Sequence, residues 1–148
     1  MLKLRAHNDG PQSKVAKQRQ YLYRDAIRRV NHAMAAGFHL EAITILESMI
    51  SDRLESRLSR IHSENPEKRR FSNLSPLAQE LAGERSSEPR EAKLIYRDIE
   101  AWAIRRNAAV HEMAKLLDGC DKSWDVKYRE VKQAALKGKR IFRMLDAV

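Results

Sequence analysis

The segment FHLEAITILESMISDRLESRLSRI, residues 38–61, decides the fold of this 148-residue chain. Its large apolar residues recur every three or four positions, a spacing that gathers side chains on one face of an α-helix. They are Ile43, Leu46, Ile50, Leu54, Leu58 and Ile61. The segment therefore predicts a long amphipathic helix that buries this stripe in a core.

The same period predicts helices on both sides of this segment. A first helix over residues 13–36 ends at Gly37 and forms an antiparallel hairpin with the second. A short helix over residues 75–81 follows, between loops that contain Pro66 and Pro89. Two more long helices cover residues 90–117 and the chain from residue 123 onwards.

The predicted fold is therefore all-α, a four-to-five-helix bundle with up-down connectivity and one short extra helix. Residues 1–13 are predicted to be a flexible N-terminal arm and residues 14–148 a single helical domain. The predicted apolar face of the first helix consists of Leu22, Ile27, Val30 and Met34. In the helix over residues 90–117 the predicted apolar face consists of Ile95, Ile99, Trp102, Ala109, Val110, Met113 and Leu117. In the last helix it consists of Trp124, Tyr128, Val131, Ala135, Ile141, Phe142 and Leu145. Gly138 is predicted to weaken the last helix by about 1 kcal/mol.

The chain carries a formal net charge of +9, which favours polyanionic partners. Cations are concentrated in residues 14–29 and 122–148. These segments could be the solvated faces of amphipathic helices, a surface for nucleic acid or a surface for an acidic protein.

Composition also limits the class of protein. One cysteine excludes an internal disulfide, and scattered histidines without a CxxC pair predict neither a zinc site nor another cofactor. The apolar runs are short and the start MLKLRAHNDG has no apolar core of a signal peptide. We therefore expect a cytoplasmic protein that is not embedded in a membrane.

The motif RNAAVH, residues 106–111, carries the most informative chemistry. It places a permanent cation, Arg106, an amide, Asn107, and an imidazole, His111, within about a turn and a half of helix. A guanidinium can hold a phosphate through two hydrogen bonds, and an imidazole can transfer protons near neutral pH.

Helical geometry separates these three side chains. At about 100° per residue, Arg106 lies within about 20° of the centre of the apolar stripe, whereas His111 lies about 140° from Arg106. A buried guanidinium needs a carboxylate or a cleft that a partner or an anion completes. Glu47 lies about 40° from the centre of the stripe on the second helix, so we predict an ion pair between Glu47 and Arg106.

RNAAVH resembles the Arg-x4-6-His motif of the HEPN superfamily, in the form in which Asn follows Arg, late in a helical bundle. The segment FHLEAITILESMISDRL, residues 38–54, is similar to the second helix of that family with its internal Glu. The resemblance implies a HEPN-like bundle and a metal-independent endoribonuclease, in which two copies of the motif meet across a homodimer cleft. Such proteins are typical of toxin-antitoxin and defence systems.

The resemblance also implies roles for individual residues. Arg106 would hold the scissile phosphate, Asn107 would orient it, and His111 would act as general acid or base, with Glu47 in support. The 2′-OH would attack the adjacent phosphate and leave a 2′,3′-cyclic phosphate, without a metal. Arg105, Lys115 and the basic last helix could follow the RNA backbone, since phosphate contacts give affinity without sequence information.

Other interpretations remain open at this point. Arg106 could form a core salt bridge only, in a non-catalytic module that dimerises or docks a partner protein such as an antitoxin. The chain could also be a basic nucleic-acid-binding protein without chemistry. The spacing itself is not unique, because Arg57 with His62 repeats it and Arg105 with His111 fits a longer form.

Overall fold

A computed structural model describes residues 11–69, 73–84, 88–115 and 122–148 of the chain. In these ranges it forms five α-helices and a 3-10 helix, and no strand. They are α1 (Pro11–Ala35), α2 (His39–His62), the 3-10 helix Pro66–Arg69, α3 (Leu74–Gly83), α4 (Arg90–His111) and α5 (Trp124–Ala147). The prediction of an all-α bundle is confirmed.

The first helix begins earlier than predicted. α1 starts at Pro11, so residues 11–13 of the predicted arm are helical, and residues 1–10 lie outside the described ranges. Proline suits a first helical position because the N–H that it lacks would have no partner there. Gly37, with φ +83°, ends α1 as predicted, since Phe38 N–H then bonds back to the carbonyl of Ala33.

The four long helices run up, down, up and down. Tyr23, in the middle of α1, contacts Asp52, in the middle of α2, as an antiparallel hairpin with a short connection requires. Arg57 of α2 contacts both Tyr96, early in α4, and Leu145, late in α5, so that α4 is antiparallel and α5 parallel to α2. α3 packs on α2 and α4 at this same end. No helix in the described ranges is long and apolar enough to cross a membrane.

The predicted stripe of α2 is the centre of the core. Ile43, Leu46, Ile50, Leu54 and Leu58 are fully buried, and Ile61 is partly buried. The prediction is confirmed. The other helices pack around α2 and shield its apolar face from solvent.

The predicted line of α1 is partly wrong. Val30 is buried, but Leu22 is 66% exposed, and Tyr23 takes the buried position instead. Tyr23 packs edge-on against Phe142 of α5, and its hydroxyl donates a hydrogen bond to Asp52. An aromatic ring with a polar tip suits this boundary between core and solvent better than leucine.

Arg57 is a buried cation that joins three helices. Its guanidinium donates hydrogen bonds to the Tyr96 hydroxyl at 2.9 Å and to the backbone carbonyls of Leu145 and Val148 at 2.9 and 3.0 Å. Glu88 lies 3.5 Å from the guanidinium and accepts a hydrogen bond from Tyr96. Burial and the Glu88 hydrogen bond raise the pKa of Tyr96 to about 12, so the phenol stays protonated.

The interface between α4 and α5 contains a close contact around Trp102. The indole Nε1 donates a hydrogen bond to the carbonyl of Ala134 at 2.8 Å, and its ring lies against Gly138. A Cβ added at Gly138 would lie 2.6 Å from Cζ2 of Trp102. Besides the predicted weakening of α5, Gly138 has a packing role, since its missing side chain is what admits the indole.

We expect Gly138→Ala to destabilise the protein, although alanine is the better helix former. The added methyl must displace a buried indole, and overpacking of this kind costs about 1–3 kcal/mol. Gly83→Ala is the matched control, because a Cβ there has no neighbour within 4 Å. Urea denaturation followed by circular dichroism should show a lower free energy of unfolding for Gly138→Ala only; equal stability of both variants would contradict this account of Gly138.

Candidate functional site

The last turn and a half of α4 carries the motif RNAAVH, and Arg106 faces into the bundle. A guanidinium nitrogen of Arg106 lies 2.7 Å from Oε1 of Glu47 on α2. The Arg106 side chain is 14% exposed and that of Glu47 is 29% exposed. The ion pair predicted from the two helical faces is confirmed.

The ion pair does not use all the hydrogen-bonding capacity of Arg106. A guanidinium has five N–H donors, and its Nε is buried here without a hydrogen-bond partner among the described residues. The side chain is anchored at its tip by Glu47, while part of it remains accessible to solvent. An anion that approaches the accessible part would meet a guanidinium whose orientation is already fixed.

Asn107 and His111 lie on a different face of α4. Both are exposed, and they share one face because they are four residues apart. His111 is five residues after Arg106, which places it about 140° around the helix from Arg106. Within one chain the structure therefore brings Arg106 to Glu47, and Asn107 to the same edge as His111, but separates Arg106 from His111.

α4 ends at His111, six residues before the predicted end. Its carbonyl end is bound by a residue that the sequence analysis missed, Lys127 of α5. The Lys127 ammonium donates hydrogen bonds to the backbone carbonyls of Glu112, Met113 and Lys115, at 3.1, 3.2 and 2.6 Å. A cation suits the negative end of a helix, and nothing local in the sequence indicates this contact between distant segments.

The shorter helix changes the predicted apolar face. Ile95, Ile99, Trp102 and Ala109 are buried as predicted, whereas Val110 is 42% exposed. Met113 follows the helix and is partly buried, and Leu117 lies outside the described residues. Val110 lies about 100° from the buried Ala109 around α4, on an exposed side of the helix.

Of the two predicted RNA-binding residues, Arg105 lines a groove beside this helix end and Lys115 does not. Arg105 is exposed and lines a groove of about 600 Å³ between the end of α4 and the first half of α5. Lys115 is exposed in the turn after α4, where its carbonyl is bound by Lys127. The groove combines an apolar floor that includes Val126 and Val131 with charged rims of both signs.

The second copy of the motif spacing has a structural role. Arg57 is the buried cation described above. His62 lies 3.5 Å from a carboxylate oxygen of Glu80 on α3 and 3.0 Å from one of Glu84, which directly follows α3. Arg57 is thus held in the core by several partners, whereas Arg106 has one ion-pair partner, Glu47. In the described ranges no group of three or more His, Cys, Asp or Glu side chains could hold a metal ion.

We expect Glu47 and Arg106 to be energetically coupled. Glu47→Gln, Arg106→Met and the double variant form a cycle in which methionine retains most of the buried stem of Arg106. Residues that form one partly buried ion pair should show a coupling of about 1–2 kcal/mol in the free energy of unfolding. Additive losses in urea denaturation would mean that the contact contributes nothing to stability.

Comparison of the chain with models of protein families, with curated proteins and with solved structures finds no match. The functional argument therefore rests on the motif, its place in the bundle and the contacts of these residues.

Proposed function

We propose that the protein is a metal-independent endoribonuclease of the HEPN type that acts as a homodimer, in a toxin-antitoxin or defence context in the cytoplasm. The observation that carries the proposal is the 2.7 Å contact between Arg106 and Glu47. It holds a cation in a fixed orientation about a turn and a half before an exposed histidine. A pre-oriented guanidinium can stabilise charge that develops on a phosphate without reorganising during the reaction.

The proposed reaction is an internal transfer at phosphorus. His111 would accept the proton of the 2′-OH, or return a proton to the departing 5′-oxygen. The 2′-oxygen forms a bond to phosphorus as the bond to the 5′-oxygen breaks, which leaves a 2′,3′-cyclic phosphate and a 5′-hydroxyl. Arg106 would stabilise the negative charge on the phosphate oxygens, and Asn107 would orient them by hydrogen bonds.

A homodimer follows from the divergence of the motif residues. Because Arg106 and His111 of one α4 point about 140° apart, a second chain must complete a site that uses both. The exposed face of α4 supports such a contact. Leu94 is 56% and Ile104 is 73% exposed, and the exposed Ala101 and Ala108 continue the same face toward His111. Small residues between larger apolar ones allow two helices to approach closely, and a twofold contact near Ile104 would bring Asn107 and His111 of the two chains to one seam.

A non-catalytic, basic nucleic-acid-binding protein is the second candidate. The same geometry favours it in one respect, since Glu47 already neutralises Arg106 and His111 faces away from both. In that case Arg106 would serve stability alone. RNA would then bind through the basic helices and remain intact.

The purified protein should cleave RNA in the presence of EDTA and produce 2′,3′-cyclic phosphate ends. His111→Ala should reduce the rate at least about 100-fold, the lower range for loss of a general acid or base. His62→Ala is the matched control, because His62 has the same spacing from Arg57. Cleavage is measured by gel electrophoresis of an end-labelled RNA, with circular dichroism to verify the fold. Unchanged cleavage by His111→Ala would exclude the mechanism, and absence of cleavage by the wild type would favour the second candidate.

Ile104→Glu should convert the proposed dimer into a monomer, because it places a charge in the apolar face of α4. Leu22→Glu is the matched control, as Leu22 is 66% exposed on α1, away from that face. Sedimentation velocity at micromolar concentration should show a dimer for the wild type and the control. A monomeric wild type would argue against the homodimer.

A further inference from the structure

A stripe of cations with one aromatic residue runs along the exposed side of α1. Lys14, Lys17, Tyr21, Arg24 and Arg28 recur at intervals of three and four residues, which places them on one face of the helix, and all five are exposed. The stripe extends over about 21 Å at 1.5 Å per residue. We call these five residues the α1 stripe.

Little negative charge opposes the α1 stripe. Among the described residues its only ion-pair partner is Asp25, whose carboxylate lies 3.6 Å from Arg24 and 3.9 Å from Arg28. Both contacts are exposed and loose, so they neutralise the cations weakly. The Arg24 guanidinium lies 5.0 Å from the centre of the Tyr21 ring, and Tyr21 is 58% exposed.

A groove of about 570 Å³ lies beside the α1 stripe, between α1 and α5. Arg24 and Arg28 belong to both the stripe and the groove, whose floor includes Tyr23 and Phe142. On the side of α5 the groove is lined by Phe142 and by Asp146, which lies 3.3 Å from Arg53 of α2. The weakly paired cations of the groove therefore come from α1.

We propose that the α1 stripe and this groove bind single-stranded RNA. Phosphates would lie on Lys14, Lys17, Arg24 and Arg28, and a base would stack on Tyr21. An exposed aromatic ring in line with cations is what single strands require, because their bases are free to stack on a side chain. The choice of RNA rests on the proposed function, whereas the surface itself does not.

Other polyanions fit this surface less well. An acidic protein could pair with the cations but would leave the ring of Tyr21 without its stacking partner. A bilayer would need apolar residues within the stripe, and the exposed Leu22 lies about 100° away from Tyr21 around the helix.

Fluorescence anisotropy tests the proposal with a labelled single-stranded oligoribonucleotide whose 2′-oxygens are all methylated. This probe cannot undergo attack by the 2′-OH, so binding is measured on the wild-type protein without cleavage. Four phosphate contacts predict a salt slope of about −2.8, or about 50-fold weaker binding between 50 and 200 mM salt. Arg24→Ala/Arg28→Ala should halve the slope to about −1.4, a loss of about sevenfold over the same range. Arg60→Ala/Arg140→Ala removes two exposed arginines outside the α1 stripe and is the matched control.

Substitutions at Tyr21 separate stacking from other modes of binding. Tyr21→Phe should bind as the wild type does, and Tyr21→Leu should bind at least about fivefold more weakly, as expected when one stacked base is lost. Equal binding by Tyr21→Leu, or equal salt slopes for the two arginine pairs, would overturn the proposal. Tight binding of vesicles that contain phosphatidylserine, retained by Tyr21→Leu, would overturn it in favour of a lipid surface.

The outcome is distinguishable from that of the proposed function. Arg24→Ala/Arg28→Ala should lose binding of the methylated probe whether or not the protein cleaves RNA, since the α1 stripe and the motif lie on different helices. Salt-dependent binding through the α1 stripe by a protein that cleaves nothing would support this inference and reject the nuclease. If Arg24→Ala/Arg28→Ala still cleaves RNA and binds the methylated probe as the wild type does, the nuclease is supported and this inference is rejected.

Discussion

The buried guanidinium of Arg57 is the interaction on which the arrangement of the helices depends. Removing a cation from water is costly unless its donors are satisfied, and Arg57 finds partners on α4, on α5 and in Glu88 before α4. Those partners are available only if the early part of α4 and the late part of α5 both reach the late part of α2. One side chain therefore selects the relative direction of three helices.

The same constraint sets the position of the candidate site. Arg57 with Tyr96 and Glu47 with Arg106 are two bridges between α2 and α4, ten residues apart along each helix. The two helices have few direct contacts, so long side chains span the distance between them. Once Arg57 and Tyr96 have met, the antiparallel register brings Arg106 opposite Glu47. The orientation of the proposed phosphate-binding cation is thus a consequence of a core hydrogen bond about 15 Å away along the helix.

Periodic features of the sequence predicted the fold and the contact between Glu47 and Arg106, and contacts between distant residues account for what was missed. The stripe of α2 and the Glu47 to Arg106 pair follow from positions around single helices, which sequence spacing gives directly. Leu22 and Val110 were misplaced because burial depends on which face a neighbouring helix covers, and the end of α4 was misplaced because it depends on a distant residue. That end is bound by Lys127, and the need for Gly138 comes from Trp102. Neither partner is near in sequence, so no local pattern could indicate these contacts.

The fold also separates affinity from chemistry in the proposed nuclease. Asp52, which contacts α1, and Glu47, which contacts α4, lie about 140° apart around α2, so the α1 stripe and the motif are on nearly opposite sides of the central helix. Contacts on α1 are remote from the reacting phosphate and are equally strong before and during the reaction, so they contribute binding and not rate. In the proposed reaction Arg106, Asn107 and His111 are the residues that would respond to charge that develops at phosphorus. An RNA that uses both surfaces must therefore extend around the bundle or reach the motif of the second chain, which is a geometric reason for a basic nuclease of this fold to act as a dimer.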